Sequence, residues 1–237
     1  MDQDSGERIT PDHVIPGGAF CMMRPWPGQA RSIYNDHGRF VDTYYSQWPG
    51  TYYTGDGATM DKEGYYTITG RLDDVINVSG HRLGTAEIED VLNAHDDVAE
   101  SAVVGIAHDI KGQGVCAFVI LKEHVTDSDK DIMLHMRNAV RSAIAAYAQP
   151  DIIVITPGLP KTRSGKIMRR ILKKIVAGQT NDLGDTSTLA DPSVVDFLID
   201  EFSRVADAHT HSGQLTIGVW SESGGCASET GQQQALA

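Results

Sequence analysis

The 237-residue chain is short of cysteine, of basic residues and of long apolar runs, and each shortage excludes something. Its three cysteines, Cys21, Cys116 and Cys226, stand far apart and form no CxxC or other metal spacing. An odd count with no secretory signal reads as reduced thiols in a cytoplasmic compartment rather than a disulfide scaffold. The first twenty residues hold Asp2, Asp4, Glu7 and Asp12 and no apolar core segment, which argues against a signal peptide. No apolar run approaches a membrane span; the stretch from Ile152 to Ile155 suits a buried strand, so no membrane partner is expected. With Lys+Arg 20 against Asp+Glu 32, a net charge of −12 disfavours nucleic acid as the partner. The histidines never fall in HxxxH or HExxH spacing, which argues against a catalytic zinc site.

One segment reverses the acidic average. Residues 158–178 read GLPKTRSGKIMRRILKKIVAG, with basic residues throughout and no acidic one. A concentrated cationic element in an anionic protein is a candidate anion site. Its second half has helical periodicity: Ile167, Met168, Ile171, Leu172, Ile175 and Val176 share one face, and Arg169, Arg170, Lys173 and Lys174 the other. A solvated basic back on a core helix accounts for those four cations. Lys166 differs, because it sits at the start of the expected helix after Ser164-Gly165, where the macrodipole disfavours a cation. A lysine there gains little for stability, and either projects toward an anionic ligand or is simply solvated. The segment is not a Walker A loop, which needs G-x-x-x-x-G-K-[ST]. The alternating Asp127, Asp129 and Asp131 do not begin a calcium loop, since Ile132 and Asn138 stand where Gly and Glu are required; helix capping explains them.

Residues 1–17 are polar and irregular. From Ala19 to about Gly70 short β-like runs (AFCMM, SIYN, TYYT, GYYTITG) alternate with Gly/Pro turns, as in a small barrel or sheet packed on something larger. The texture changes after Arg71-Leu72-Asp73-Asp74. A helix capped by Thr85 runs to about His95, strands span 101–107 and 115–121, a long helix covers 129–147, and a strand at 151–155 precedes the basic helix. This mixture predicts a compact α+β domain. Beyond about Asp207 the composition turns polar and reads as a disordered tail.

Three blocks together carry a resemblance: YYTGD (52–56), ITGRLDDVINVSGHRLGTAEIE (68–89) and LPKTRSGKIMRR (159–170). They are similar to the C-terminal part of the adenylate-forming acyl-CoA synthetases, and WPGQAR (26–31), Asp36-His37-x-Arg39-Phe40 and LGDTSTLADP (183–192) incline the resemblance to the acetate–CoA ligases, the acetyl-CoA synthetase family. The resemblance implies a division into the C-terminal end of a large AMP-binding domain with a β-barrel subdomain (18–72), a mobile α+β lid (73–202) and a polar tail (203–237). It implies a reaction in two steps: acetate attacks the α-phosphorus of ATP to give acetyl-AMP and pyrophosphate, then the thiol of coenzyme A attacks the acyl carbon and releases AMP. A carboxylate meeting a polyanion requires cations and Mg²⁺ to screen the charge. Lys166 would be the adenylation lysine, and its acetylation would remove that charge. Asp56 would accept the ribose hydroxyls, Arg71 would contact the nucleotide and Arg82 its phosphates. Asp73 would be the hinge about which the lid turns. Ser79 and Gly80 would face the coenzyme A channel and Arg141 its phosphate, with a plain turn glycine and a solvated arginine as the ordinary readings of the last two. Asn93, His95 and Val98 would hold Mg²⁺ through carbonyls and an imidazole. Asn93 replaces an apolar residue usual in the family, and Ala145-Ala146 replace Gly-Pro.

The family's Ser/Thr/Gly-rich phosphate loop and its Tyr/Trp-x-Thr-Glu motif appear nowhere in these residues. The expectation is therefore a chain that does not adenylate acetate alone. The alternatives are a detached regulatory lid acting in trans on a large domain, or serving as a substrate for lysine acylation; a propionate-CoA ligase fragment; and a remnant without function.

Overall fold

The protein is described by a computed structural model covering residues 1–3, 5–9, 18–126 and 128–211. It is α+β and is built on two sheets. The first has the order β1 (Gly18–Met22), β2 (Tyr52–Met60), β3 (Tyr66–Arg71), all antiparallel. Between β1 and β2 the chain forms α1 (His37–Tyr45). The run SIYN, expected as β-like, is no strand: the Asp36 carboxylate accepts from the Arg39 amide and starts this helix instead. Phe40 packs among Tyr44 and Tyr45, and Tyr44 stacks on Tyr52 at 4.8 Å, which fastens α1 to β2.

A short 3₁₀ turn, Leu72–Asp74, leads into the second sheet. There β4 (Val75–Val78) and β5 (His81–Gly84) form a hairpin, and β6 (Val98–His108) and β7 (Gly112–Leu121) a longer one. β8 (Ile152–Ile155) lies parallel to β7, which β4 meets at Gly112. The period of two along β6 and β7 divides the core. Ala102, Val104, Ile106, Cys116 and Phe118 face α4 (Arg169–Val176) and α5 (Ser193–His211). Val103, Val115, Ala117 and Val119 face α2 (Thr85–Asn93) and α3 (Asp129–Ala143). The sheet is thus buried on both sides, and its central strand reads as the continuous apolar run VCAFVIL.

Four expectations are corrected. The β4–β5 hairpin was not foreseen, because four-residue strands offer little periodicity. The helix expected to be capped by Thr85, α2, has Gly84 at its cap and Thr85 buried within its first turn. The long helix stops at Ala143, not Tyr147; Ala145 turns extended and Tyr147 stacks on His81 at 4.1 Å. Finally, α5 continues to His211, into the stretch expected as tail, because Val195, Leu198, Phe202, Val205 and Ala206 recur at helical spacing onto the core. Residues 212–237, where the rest of that tail was expected, lie outside the described residues, as do Cys226 and Asp127. No helix of the described residues is long and apolar enough to cross a membrane.

Candidate functional site

Lys166 does not open the basic helix. It lies ahead of α4 in a small hairpin closed by a bridge between Lys161 and Ile167. Within the loop the Thr162 amide donates to the Lys166 carbonyl at 2.9 Å, the Gly165 amide to the Thr162 carbonyl at 2.8 Å, and the Lys166 amide to Thr162 Oγ1 at 3.1 Å. Gly165 has φ +85°, a conformation natural to glycine, which lets the loop reverse just before the lysine. The Lys166 ammonium is exposed and hydrogen-bonds to nothing among the described residues.

The hairpin is fastened on three sides. The segment 183–190 runs along it, with a bridge between Thr162 and Leu189, the Arg163 amide donating to the Thr188 carbonyl at 3.1 Å and the Ala190 amide to the Lys161 carbonyl at 2.9 Å. Arg170 reaches the same segment through the carbonyls of Leu183 and Asp185. At the base, Arg169 holds Glu89 of α2 with two nitrogens, while Glu89 Oε1 also accepts from the Val103 amide of β6 at 2.7 Å. Burial pushes the Glu89 carboxyl above its ordinary value, opposed by Arg169 and the Val103 amide. Lys161 pairs with Glu100 of β6.

Asp56 and Arg71 face each other across β2 and β3. Arg71 NH1 donates to Asp56 Oδ1 at 3.2 Å and to the Thr54 carbonyl at 3.1 Å, and its Nε to Asp73 Oδ1 at 3.2 Å. Burial works against the Arg71 charge, yet Asp73 and Asp56 together hold its pKa above the ordinary value. Gly55, at φ +78°, makes room for this guanidinium: a Cβ there would stand 2.8 Å from Arg71 NH2.

Ser79 and Gly80 form the turn between β4 and β5, both with positive φ (51° and 86°), as a tight two-residue hairpin turn demands. The Ser79 amide donates to the Lys111 carbonyl at 2.9 Å. The stack of His81 on Tyr147 brings this turn beside the end of α3, where Arg141 is exposed in the last turn. Arg82 points elsewhere, donating to Gln3 Oε1 at 2.7 Å. Of the nominated residues the structure brings Asp56, Arg71 and Asp73 together, leaves Lys166 alone on its hairpin, and puts Ser79 and Gly80 in one turn.

Asn93 ends α2, His95 lies in the turn that follows and Val98 begins β6. The Asn93 amide oxygen accepts from Ser101 Oγ at 2.8 Å, and His95 Nδ1 accepts from the Asp97 amide, which puts the proton of the neutral ring on Nε2. Among the described residues no three His, Cys, Asp or Glu side chains are arranged so as to hold a metal ion. A cation here would rely on backbone carbonyls and one imidazole, and carbonyl oxygens suit hard Mg²⁺.

Residues 87–166 match the AMP-binding enzyme C-terminal domain family. Over these residues the chain carries an AMP-binding enzyme C-terminal domain. An acetyl-coenzyme A synthetase of Caulobacter vibrioides is 63% identical over 185 residues, 77% of this chain and 28% of that protein. One of Dictyostelium discoideum is 52% identical over 212 residues, 86% of this chain and 32% of the relative. The chain thus spans about a third or less of the relatives it matches, in their C-terminal part. Among solved structures, the acetoacetyl-CoA synthetase of Streptomyces lividans superposes with a TM-score of 0.72 at 24% identity, covering 84% of this chain and 30% of its own, a likeness of fold. The amide bond synthetase McbA of Marinactinospora thermotolerans gives 0.60 at 26% identity, covering 72% and 33%.

Sequence reasoning missed three fastenings: Glu89 under Arg169, Lys173 of α4 on Asp73 and Asp74, and Lys111 paired with Asp151. Only Glu89 left a signal, a carboxylate beside Ile88 on the buried stripe of a helix whose other apolar positions are Val91 and Leu92.

Proposed function

We propose that the chain forms the C-terminal part of an AMP-forming acetate–CoA ligase. The observation that carries the reading is the Lys166 hairpin: an exposed ammonium without a hydrogen-bond partner among the described residues, on a loop braced by α2, β6 and segment 183–190, within a chain more than half identical to acetyl-coenzyme A synthetases along most of its length. A cation so held meets the carboxylate and phosphate oxygens of acetate and ATP with little reorganisation. Asp56 offers the ribose diol an acceptor, its second oxygen remaining beside the Arg71 contact, and Arg71 and Arg82 supply charge for the nucleotide. Ser79 and Gly80 present a narrow turn for the pantetheine arm, and Arg141 a cation for coenzyme A phosphate. Mg²⁺ held by the carbonyls of Asn93 and Val98 with His95 would neutralise phosphate charge. Asp73 lies where the two sheets join and serves as the hinge between the adenylating and thioester-forming arrangements.

On this reading the 237 residues do not adenylate acetate alone, since they hold neither the phosphate loop nor the acyl pocket of the family. A second reading is a lid that works in trans with a separate large domain. The test is ATP–pyrophosphate exchange with acetate and Mg²⁺, with and without the upstream part of a relative supplied as a separate chain. Exchange only when that part is present, and lost in Lys166→Ala, is the expected result. Exchange by the chain alone refutes the incompleteness, and exchange undiminished in Lys166→Ala refutes the lysine's role.

A further inference from the structure

Among the described residues no hydrogen-bonded ladder joins the two sheets; the chain passes between them through the turn Leu72–Asp74. We propose that Lys173 is a positioning residue that pins the lid side of this junction, so that turning between the sheets is confined to the backbone bonds of Leu72 and Asp73. The inference deepens the ligase reading, on which its meaning for catalysis rests, but the contacts stand without it.

Lys173 projects from α4, a helix anchored in the core by Ile171, Leu172 and Ile175. Its Nζ donates to the Asp73 carbonyl at 2.7 Å and to Asp74 Oδ1 at 2.6 Å. From the opposite side Arg71, at the end of β3, holds the Asp73 carboxylate at 3.2 Å while its other nitrogen stays on Asp56. Asp73 is therefore divided: its carbonyl belongs to the lid and its side chain to the first sheet. A rotation of one sheet against the other cannot keep both ties. The Arg71–Asp73 pair is the more solvated, with side chains 52% and 68% exposed, whereas Asp74 is only 12% exposed behind Lys173. Screening makes an exposed pair the cheaper one to break, and a carboxylate left buried without its cation is costly. Rotation thus parts Arg71 from Asp73 and leaves Lys173 in place. The close approach of Gly70 in β3 to the Ala86 side chain of α2 and the Arg82–Gln3 bond also span this division, so rotation parts them together with the Arg71–Asp73 pair.

Hydrogen exchange read by mass spectrometry on the full chain, without substrates, tests the pin. The reporter is the Val75 amide, which donates to the Leu72 carbonyl at the end of the turn. In Lys173→Met this amide should exchange about tenfold faster, as expected for losing a charge-assisted bond, while β6 and β7 keep their protection. Lys173→Arg should restore the original rate. The double variant Lys173→Met/Asp74→Asn, which leaves no unpaired carboxylate, should show the same local rise. Unchanged exchange at Val75 in both Met variants overturns the proposal, and so does a rise shared by β6 and β7 that arginine fails to reverse. Because no nucleotide is used, failure here and failure of the pyrophosphate-exchange test are separate outcomes.

Discussion

Removing Arg169 strands a carboxylate. Glu89 is 7% exposed and takes its compensation from two groups, the Arg169 guanidinium and the Val103 amide. Arg169→Met deletes the first and leaves a buried charge with one hydrogen bond, a change that costs about 3–5 kcal/mol at neutral pH. For a chain of this size that corresponds to a fall in melting temperature on the order of 10 °C. The loss depends on pH in a defined direction. Burial already raises the folded pKa of Glu89 above its unfolded value, and losing Arg169 raises it further. A raised carboxyl binds its proton more tightly in the folded state, so its contribution is fully present below the unfolded pKa and fades as pH climbs through the folded one. The penalty of Arg169→Met is therefore smaller at pH 5 than at pH 7.5, by about 1.4 kcal/mol for each pH unit in which only the folded form is protonated. Urea titrations of the wild type, Arg169→Met and Arg169→Met/Glu89→Gln at both pH values measure it. The double variant should recover much of the stability and lose the pH dependence. A single-variant penalty below about 1 kcal/mol at pH 7.5, the size of an exposed pair, or one equal at the two pH values, would refute a buried, charged pair.

Gly55→Ala should destabilise the first sheet by about 1–2 kcal/mol, since φ +78° is costly for any side chain. It should also displace Arg71 from Asp56, visible as a changed Arg71 Nε–H resonance by NMR. Cys116, fully buried and with its thiol pushed well above the ordinary range by burial, should react with a thiol reagent only at the rate of global unfolding. Half-buried Cys21 should react sooner, and peptide masses distinguish the two.

The elements that were legible in the sequence are those whose pattern is local. The apolar stripes of α2 and α4, and the runs that became β6, β7 and β8, follow from spacing alone, and the Gly/Pro texture change at residues 71–74 coincides with the passage between sheets. What escaped was set by tertiary contact. Nothing local announces that Asp36 starts a helix after a β-like run, or that Tyr147 breaks from α3 to stack on His81. The place of Lys166 shows the same limit. Its cationic surroundings were readable, but its hairpin depends on segment 183–190 arriving from further along the chain. Lys173 read as one more solvated cation because its partners lie about a hundred residues away.

The carboxylate of Glu89 has a consequence for how the molecule keeps to itself in solution. Among the described residues β6 pairs with β7 along one side only, so its other side turns backbone donors and acceptors outward, a ready template for a strand from another molecule. Glu89 occupies one of those donors, the Val103 amide, and further along the same strand Glu100 stands out with Lys161 clasped to it. Charge on this rim, together with α2 and α4 beside it, keeps foreign strands from adding to the sheet. The side chains that steady the lysine hairpin therefore also guard the protein against self-association.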